Sequence, residues 1–335
     1  MTGVDLRFWH VPSVLTEFVL VNHPRIDIVP YRGRHGPGLL ALTTTIPMVA
    51  TNVQAIGAWR GSRLQGVGLM RYGPAAIGAS IEALTLLDFD PTGAPGSNVG
   101  RDHQDGAHAI VQRMVKSTVD TGRTHLVARV SEESPYVRVL TSEGFVATAI
   151  EYEYEGTTRP VEEPPIVDGL REQRPSDSWP ALQLYRATTP AAVQRAEGRA
   201  IEDMDAVPSQ RPRFQFTGPG WRVDRMVVSD GDGMVAWLEL RLNGNNRREF
   251  SLVLHPRGGH LASPMVRRVL WDLQVHTGNP ILTTIREPAS PLGEALQDAG
   301  FRGTNTHVLL MKDVAQPVAA RAGNVVLDAV VGFGR

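Results

Sequence analysis

The chain contains no cysteine, so disulfide staples, thiolate metal ligands and a cysteine nucleophile are all excluded. Lysine is nearly missing too: of 34 basic residues only Lys116 and Lys312 are lysines. That skew reads first as compositional bias, although arginine also favours bidentate contacts to anions. No apolar run approaches the roughly 20 residues that cross a bilayer. The N-terminus sets Asp5, Arg7 and His10 among its apolar residues and lacks the layout of a signal peptide. A cytoplasmic protein away from membranes is therefore expected. A formal net charge of −1 supplies no basic field for nucleic acid. The ten histidines are scattered without metal-ligating spacing, so no metal is expected. Gly-x-Ser-x-Gly is absent, which argues against a hydrolase elbow.

What the chain does have is a repeat. Ser134-Pro135-x-x-x-x-Leu140-x-x-x-Gly144-Phe145 returns with unchanged spacing as Ser290-Pro291-x-x-x-x-Leu296-x-x-x-Gly300-Phe301. Each copy follows a β-branched run, His125–Val130 and Ile281–Ile285. Each also precedes another apolar run, Phe145–Ile150 and His307–Met311. Strand, short helix closed by glycine, strand: the same unit appears twice in 335 residues, a length suited to two domains.

The seam between the copies is Glu155–Pro180, rich in proline and charge, which suits a connector. Trp179 and Leu182 are expected to pin its end onto the second half. Ahead of the first repeat, Ser13–Asn22 has helical spacing and Tyr31–Gly38 is a Gly- and Arg-rich loop. Strands are expected over Gln54–Trp59, Leu64–Tyr72 and Ala79–Phe89, with a turn at Gly61-Ser62. A loop over Asp90–Asp105 should lead into a helix over Gly106–Val119. In the second half Thr189-Pro190 opens a helix through Ala200. Strands follow at Trp221–Ser229, Met234–Leu242 and Arg248–Leu254, joined by Asp230-Gly231-Asp232-Gly233 and Asn243-Gly244-Asn245-Asn246 turns. A helix over Ser263–Val275 tolerates Pro264 in its first turn. The tail beyond Asp313 carries Val325-Val326-Leu327 and Val330-Val331.

Leu252-Val253-Leu254-His255-Pro256-Arg257-Gly258-Gly259-His260-Leu261-Ala262-Ser263 reads as strand, glycine-rich turn and helix start. Such a segment can be an ordinary βα connection. It can also cradle a phosphate, because glycines admit close approach and the first helical N–H groups lack partners. The surrounding order, a three-stranded meander, this turn, then strand–helix–Gly-Phe–strand, resembles the GNAT superfamily of acyl-CoA-dependent N-acyltransferases. In that family the fourth strand ends in Val-x-Pro. An Arg/Gln-x-x-Gly-x-Gly/Ala turn then binds the coenzyme A pyrophosphate, and a later short helix ends in Gly-Phe. Here Leu254-His255-Pro256 stands at the strand end, Arg257 and Ala262 match the turn, and His260 replaces its first glycine. Leu296–Phe301 matches the closing helix.

The resemblance implies an α/β fold of two tandem GNAT-like domains, each a mixed, mainly antiparallel sheet flanked by helices. The expected division is residues 1–155, a linker over 156–180, residues 181–314 and a tail over 315–335. It implies an acetyl-CoA (or other acyl-CoA) site in the second half: Val253, Leu254 and His255 at the strand end, then Arg257, Gly258, Gly259 and His260 in the turn. Leu261, Ala262 and Ser263 complete it at the helix start. In the first half, Gly100–His108 corresponds to the turn. Asp102 and Asp105 there oppose an anion, so that copy reads as degenerate.

Acyl transfer to an amine needs a base and, for the departing thiolate, an acid. The family's tyrosine acid would fall at Leu140 and Leu296, so both copies lack it; Tyr136, one turn earlier, is a substitute or a packing residue. Glu249 and Glu239 are the candidate catalytic bases, with Glu82 and Asp88 their first-half counterparts and His255 and His260 as alternatives near neutral pH. The acceptor is expected to be a small-molecule or peptide amine, and the protein a monomer or homodimer. Two other readings compete: a non-catalytic tandem scaffold, and aminoacyl transfer from a charged tRNA. The second would need a basic groove that a near-neutral chain disfavours.

Overall fold

The computed structural model describes residues 2–5, 53–60, 63–73, 78–86, 98–157, 165–205, 222–242, 248–273, 280–287 and 289–314. The expected helix at Ser13–Asn22, the loop Tyr31–Gly38, the turns Gly61-Ser62 and Asn243–Asn246, and the valine-rich tail lie outside the described residues.

In chain order the strands of the first half are β1 (Thr2–Asp5), β2 (Val53–Arg60), β3 (Arg63–Tyr72), β4 (Ala79–Leu86), β5 (His125–Ser131) and β6 (Val146–Gly156). Those of the second are β7 (Arg171–Glu172), β8 (Arg222–Asp230), β9 (Gly233–Leu242), β10 (Arg248–Leu254), β11 (Ile281–Ile285) and β12 (Arg302–Asp313). All belong to one sheet in the order β1-β2-β3-β4-β5-β12-β6-β11-β10-β9-β8-β7. The last strand of each half is thus exchanged: β12 pairs with β5 of the first half, and β6 with β11 of the second. The two exchanged strands also pair antiparallel with each other, so the centre of the sheet is shared.

The repeat has a local cause. Its helices are α2 (Tyr136–Ser142) and α6 (Pro291–Asp298). Each ends at a glycine in the left-handed region, Gly144 at φ 84° and Gly300 at φ 85°, where a side chain would be strained. That turn returns the Phe145 amide to the Leu140 carbonyl and the Phe301 amide to that of Leu296, satisfying carbonyls the helix leaves open. All four of these leucine and phenylalanine side chains are buried. At the start of α6 the Ser290 hydroxyl accepts the Gly293 N–H at 3.3 Å, an N-cap ahead of Pro291 at the first helical position.

Helices α1 (Asn98–Asp120) and α2 cover one face of the first half, around Ile110, Met114, Leu140 and Phe145. On the same face of the second half, α5 (Ala262–Leu273) and α6 pack on Phe250, Leu252 and Ile281. Helices α3 (Ser178–Thr188) and α4 (Ala191–Glu197) take the opposite face, the first against Val227 and Trp237, the second against Val127 and Leu309. Three expectations change. Helix α1 starts at Asn98, so the second half of the expected loop is helical. The connector carries β7 and the start of α3, and its Arg171 and Asp177 form a two-pronged ion pair at 2.6 and 2.9 Å. Leu182 is buried as expected, but Trp179 is 49% exposed and pins nothing, because it lies on the solvent side of α3.

The exchange leaves a signature in packing. Gly156 ends β6, and a Cβ there would lie 2.6 Å from the ring of Phe301, which meets Phe250 edge-on at 5.9 Å. Gly156→Ala is therefore expected to cost about 1–3 kcal/mol through overpacking. Urea denaturation would show it as a lower midpoint at unchanged slope.

Candidate functional site

The sheet opens twice. In the second half β10 and β11 run parallel and pair only from Arg248–Phe250 to Ile281–Thr283. Beyond that point β10 continues along β9 as far as Leu254, while β11 continues along β6 as far as Ile285. The facing edges of Ser251–Leu254 and Thr284–Ile285 are left without a ladder partner between them. At the crotch the Thr283 hydroxyl donates to the Phe250 carbonyl at 2.9 Å, closing the last carbonyl before the strands part. In the first half β4 and β5 pair only from Ala79–Ile81 to Leu126–Ala128 and then separate in the same way. Each fork is a slot bordered by two strand edges, a shape that accepts an extended ligand with amide groups of its own.

The glycine-rich turn stands at the mouth of the second fork. Val253 and Leu254 end β10, and the His255 amide ties the chain to β9 through the Val235 carbonyl at 2.9 Å. Residues Pro256–Leu261 form a 3-10 turn that runs straight into α5. The Gly258 amide is closed onto the His255 carbonyl at 2.7 Å. A Cβ on Gly258 would come 2.8 Å from the Val235 carbonyl, so close approach to β9 already accounts for this glycine. Gly259 is roomier; a Cβ there would touch only the Pro291 ring, at 3.4 Å. Leu261 and Ala262 point into the core, whereas His260 and Ser263 are exposed.

Arg257 is half-exposed and held by the hairpin turn between β8 and β9: Nη1 donates to Asp232 at 2.7 Å, and Asp230 lies 3.7 Å away. An exposed pair of this kind contributes under about 1 kcal/mol, so the guanidinium can exchange carboxylate for phosphate at small cost.

The register settles which face Glu239 and Glu249 use. Glu239 stands opposite Ser251, and Glu249 opposite Arg241, so both lie on the face covered by α3. Glu239 is buried and fully engaged. Arg225 Nε donates to Oε2 at 2.7 Å and Arg241 Nε to Oε1 at 2.6 Å. Burial pushes its pKa up, but Arg241 and Arg225 outweigh that and hold the carboxyl below the usual range. Such a group is a poor proton acceptor, which corrects the expectation that Glu239 serves as base. Glu249 is half-buried in the paired stretch, below the fork. Leu140 and Leu296 are fully buried, and Tyr136 packs in the first core.

Helix α1 also changes the picture of the first half. Asp102 and Asp105 fall about one and two turns inside it, not in a turn before it.

Between the forks lies a set of charges that sequence spacing cannot reveal. Arg129, just past the last paired residue of β5, donates through Nε to Glu151 Oε2 at 2.7 Å. Arg286, just past β11, donates through Nη2 to Glu151 Oε1 at 2.8 Å and also to Glu197. Glu197 accepts in addition from Tyr185 at 2.7 Å and Arg199 at 2.8 Å. One carboxylate on an exchanged strand therefore holds an arginine from each fork. Burial raises the Glu151 pKa, but Arg129 and Arg286 overcome it and hold the net value low.

No protein-family model and no curated protein matches the sequence. Among solved structures, the chain is similar to a tandem GNAT protein from the clavulanic acid biosynthesis pathway. The two are 14% identical, 93% of this chain and 98% of the other are covered, and the TM-score is 0.53. A GCN5-related N-acetyltransferase from Sphaerobacter thermophilus aligns at 11% identity over 93% of this chain and 95% of its own, with a TM-score of 0.48. A GNAT-family acetyltransferase from Colwellia psychrerythraea aligns at 10% identity over 94% and 100%, with a TM-score of 0.44. The first likeness identifies the architecture. This chain has the mixed α/β fold of a tandem GNAT protein.

Proposed function

We propose that the protein is an acyl-CoA-dependent N-acyltransferase that binds acetyl-CoA, or another acyl-CoA, in its second half. The observation that carries this reading is the open fork between β10 and β11 with a strand–turn–helix at its mouth. The strand edges of Ser251–Leu254 and Thr284–Ile285 suit the amide-bearing pantetheine arm. Arg257, released from Asp232, and His260 would face the phosphates at the start of α5. The bound thioester supplies an activated carbonyl to a primary amine of a small molecule or peptide. Glu239 is tied to its arginines, so Glu249 is the proton acceptor proposed for this half. The fold of the clavulanic acid pathway protein, a tandem GNAT protein by its description, supports the class of reaction but not the acceptor.

Millimolar acetyl-CoA is expected to raise the melting temperature. A ligand at 100 times its Kd adds about 2.7 kcal/mol. Arg257→Glu and Gly259→Glu should each abolish the shift. Gly259 is the better site for the test than Gly258, whose substitution would strike the Val235 carbonyl. A melting curve unmoved by acetyl-CoA would overturn the proposal.

A further inference from the structure

The two exchanged strands meet about a pseudo-two-fold axis. Thr148 and Thr304 stand at equal distances past Gly144 and Gly300, and each is the extra residue of a bulge in the β6–β12 ladder. The Thr148 hydroxyl donates to the Leu309 carbonyl at 2.9 Å, and the Thr304 hydroxyl to the Glu153 carbonyl at 3.3 Å. Leu309 and Glu153 occupy equivalent places in the repeat, so one bond is the image of the other. Glu151 and His307 are repeat equivalents as well, and they face each other directly across the ladder. The axis passes between these two residues.

A seam with this symmetry is self-complementary. By backbone geometry each half could pair with a second copy of itself, β6 against β6 or β12 against β12. The side chains at the axis are not symmetric. The first half brings the buried Glu151, Glu153 and Arg129, and the second brings Arg286 and the buried His307. Arg286 reaches Glu151 across the seam at 2.8 Å, and His307 Nε2 lies 3.8 Å from Glu153 Oε2. Two first halves would instead crowd Glu151 and Glu153 of both copies about the axis, opposed there only by Arg129 of each. Two second halves would set His307 against His307 and leave each Arg286 with Glu197 alone. Like charges facing each other across a ladder are unfavourable, and buried charge stripped of its partner is more so.

We propose that the charges about this axis make each seam surface select the unlike half and reject a second copy of itself. Glu151, Glu153 and Arg129 form one side of the recognition, and Arg286 and His307 the other. The selection bears on assembly. A chain whose halves both paired with their own kind would join one neighbour through its first half and another through its second, and the array would never close. Unlike pairing lets the chain close on itself. Specificity here comes from the cost of the wrong pairing as much as from the contacts of the right one.

The test uses the full-length protein with a protease site placed within residues 158–164, folded first and then cut. At urea concentrations where the halves exchange, native mass spectrometry reads which halves pair. The wild type is expected to give unlike pairs in about 100-fold or greater excess, because a like pair strands buried charge. His307→Glu offers each Arg286 of a second-half pair a carboxylate across the axis, so second-half pairs should appear. His307→Gln offers none, and they should stay absent. Glu151→Gln removes a carboxylate from each copy in a first-half pair, so first-half pairs should appear; this route stands even if His307→Glu does not fold. Like pairs at their statistical share in the wild type would overturn the inference. So would their absence from both His307→Glu and Glu151→Gln, or second-half pairs as abundant in His307→Gln as in His307→Glu.

Discussion

Residues 165–335 expressed alone are expected to show no cooperative thermal transition, whereas co-expression with residues 1–160 should yield a complex that melts like the intact chain. Without the first half, β11 loses β6 along Ile281–Ile285. β12 loses both its neighbours, β5 along His307–Asp313 and β6 along Arg302–Met311. β11 along one edge and β12 along both would then present unpaired peptide groups, an arrangement that aggregates or captures another chain. Phe301 would lose the floor that Gly156 provides, and Arg286 would lose Glu151. The competing outcome is that β12 moves across into the vacancy beside β11, since the two exchanged strands are repeats of one another. A monomeric fragment melting cooperatively near the temperature of the whole protein would establish that outcome and sink the prediction.

Glu151→Leu is expected to cost about 3–5 kcal/mol, the range for removing one partner of a buried ion pair. Arg129 is buried and would keep only a 3.4 Å contact with Thr284, and Arg286 would keep Glu197 alone. The loss should be much smaller in Arg129→Met/Glu151→Leu, where no buried charge is stranded. Equal losses in the single and double variants would show that packing, not charge, is responsible.

The same pair makes stability depend on pH. The folded pKa of Glu151 and that of Glu239 both lie below the ordinary value of 4.5. Their contribution is therefore complete above about pH 4.5 and is lost as the pH falls through the depressed folded values. Urea midpoints of the wild type should drop on acidification across that window, and those of Glu151→Leu should drop less.

Local features of the fold were legible because their causes are local. A leucine, a left-handed glycine and a buried phenylalanine at fixed spacing close a helix whatever surrounds it, so the repeat marks α2 and α6 correctly. The β9 and β10 ranges follow from apolar-rich runs bounded by turn residues; β10 alternates in burial, whereas β9 is buried on both faces. The start of α1 was misread because Gly100 and the polar residues around it resemble a loop. Packing of Ala107, Ile110 and Met114 holds the helix, and its first turns propagate from there.

The site was less legible. Gly258 looked like a ligand glycine, yet the approach of β9 is enough to require it, and Glu239 looked like a free carboxylate until Arg225 and Arg241 were placed beside it. By itself the amino-acid order determined the duplication, the strand–helix–strand units and the glycine turn, since each depends on neighbours a few residues away. Tertiary structure alone decided the exchange of β6 and β12 and the grip of Glu151 on both forks. Those depend on partners far apart in the chain, as with Thr148 and Leu309, 161 positions apart. Strand register and burial, not spacing along the chain, bring such partners together.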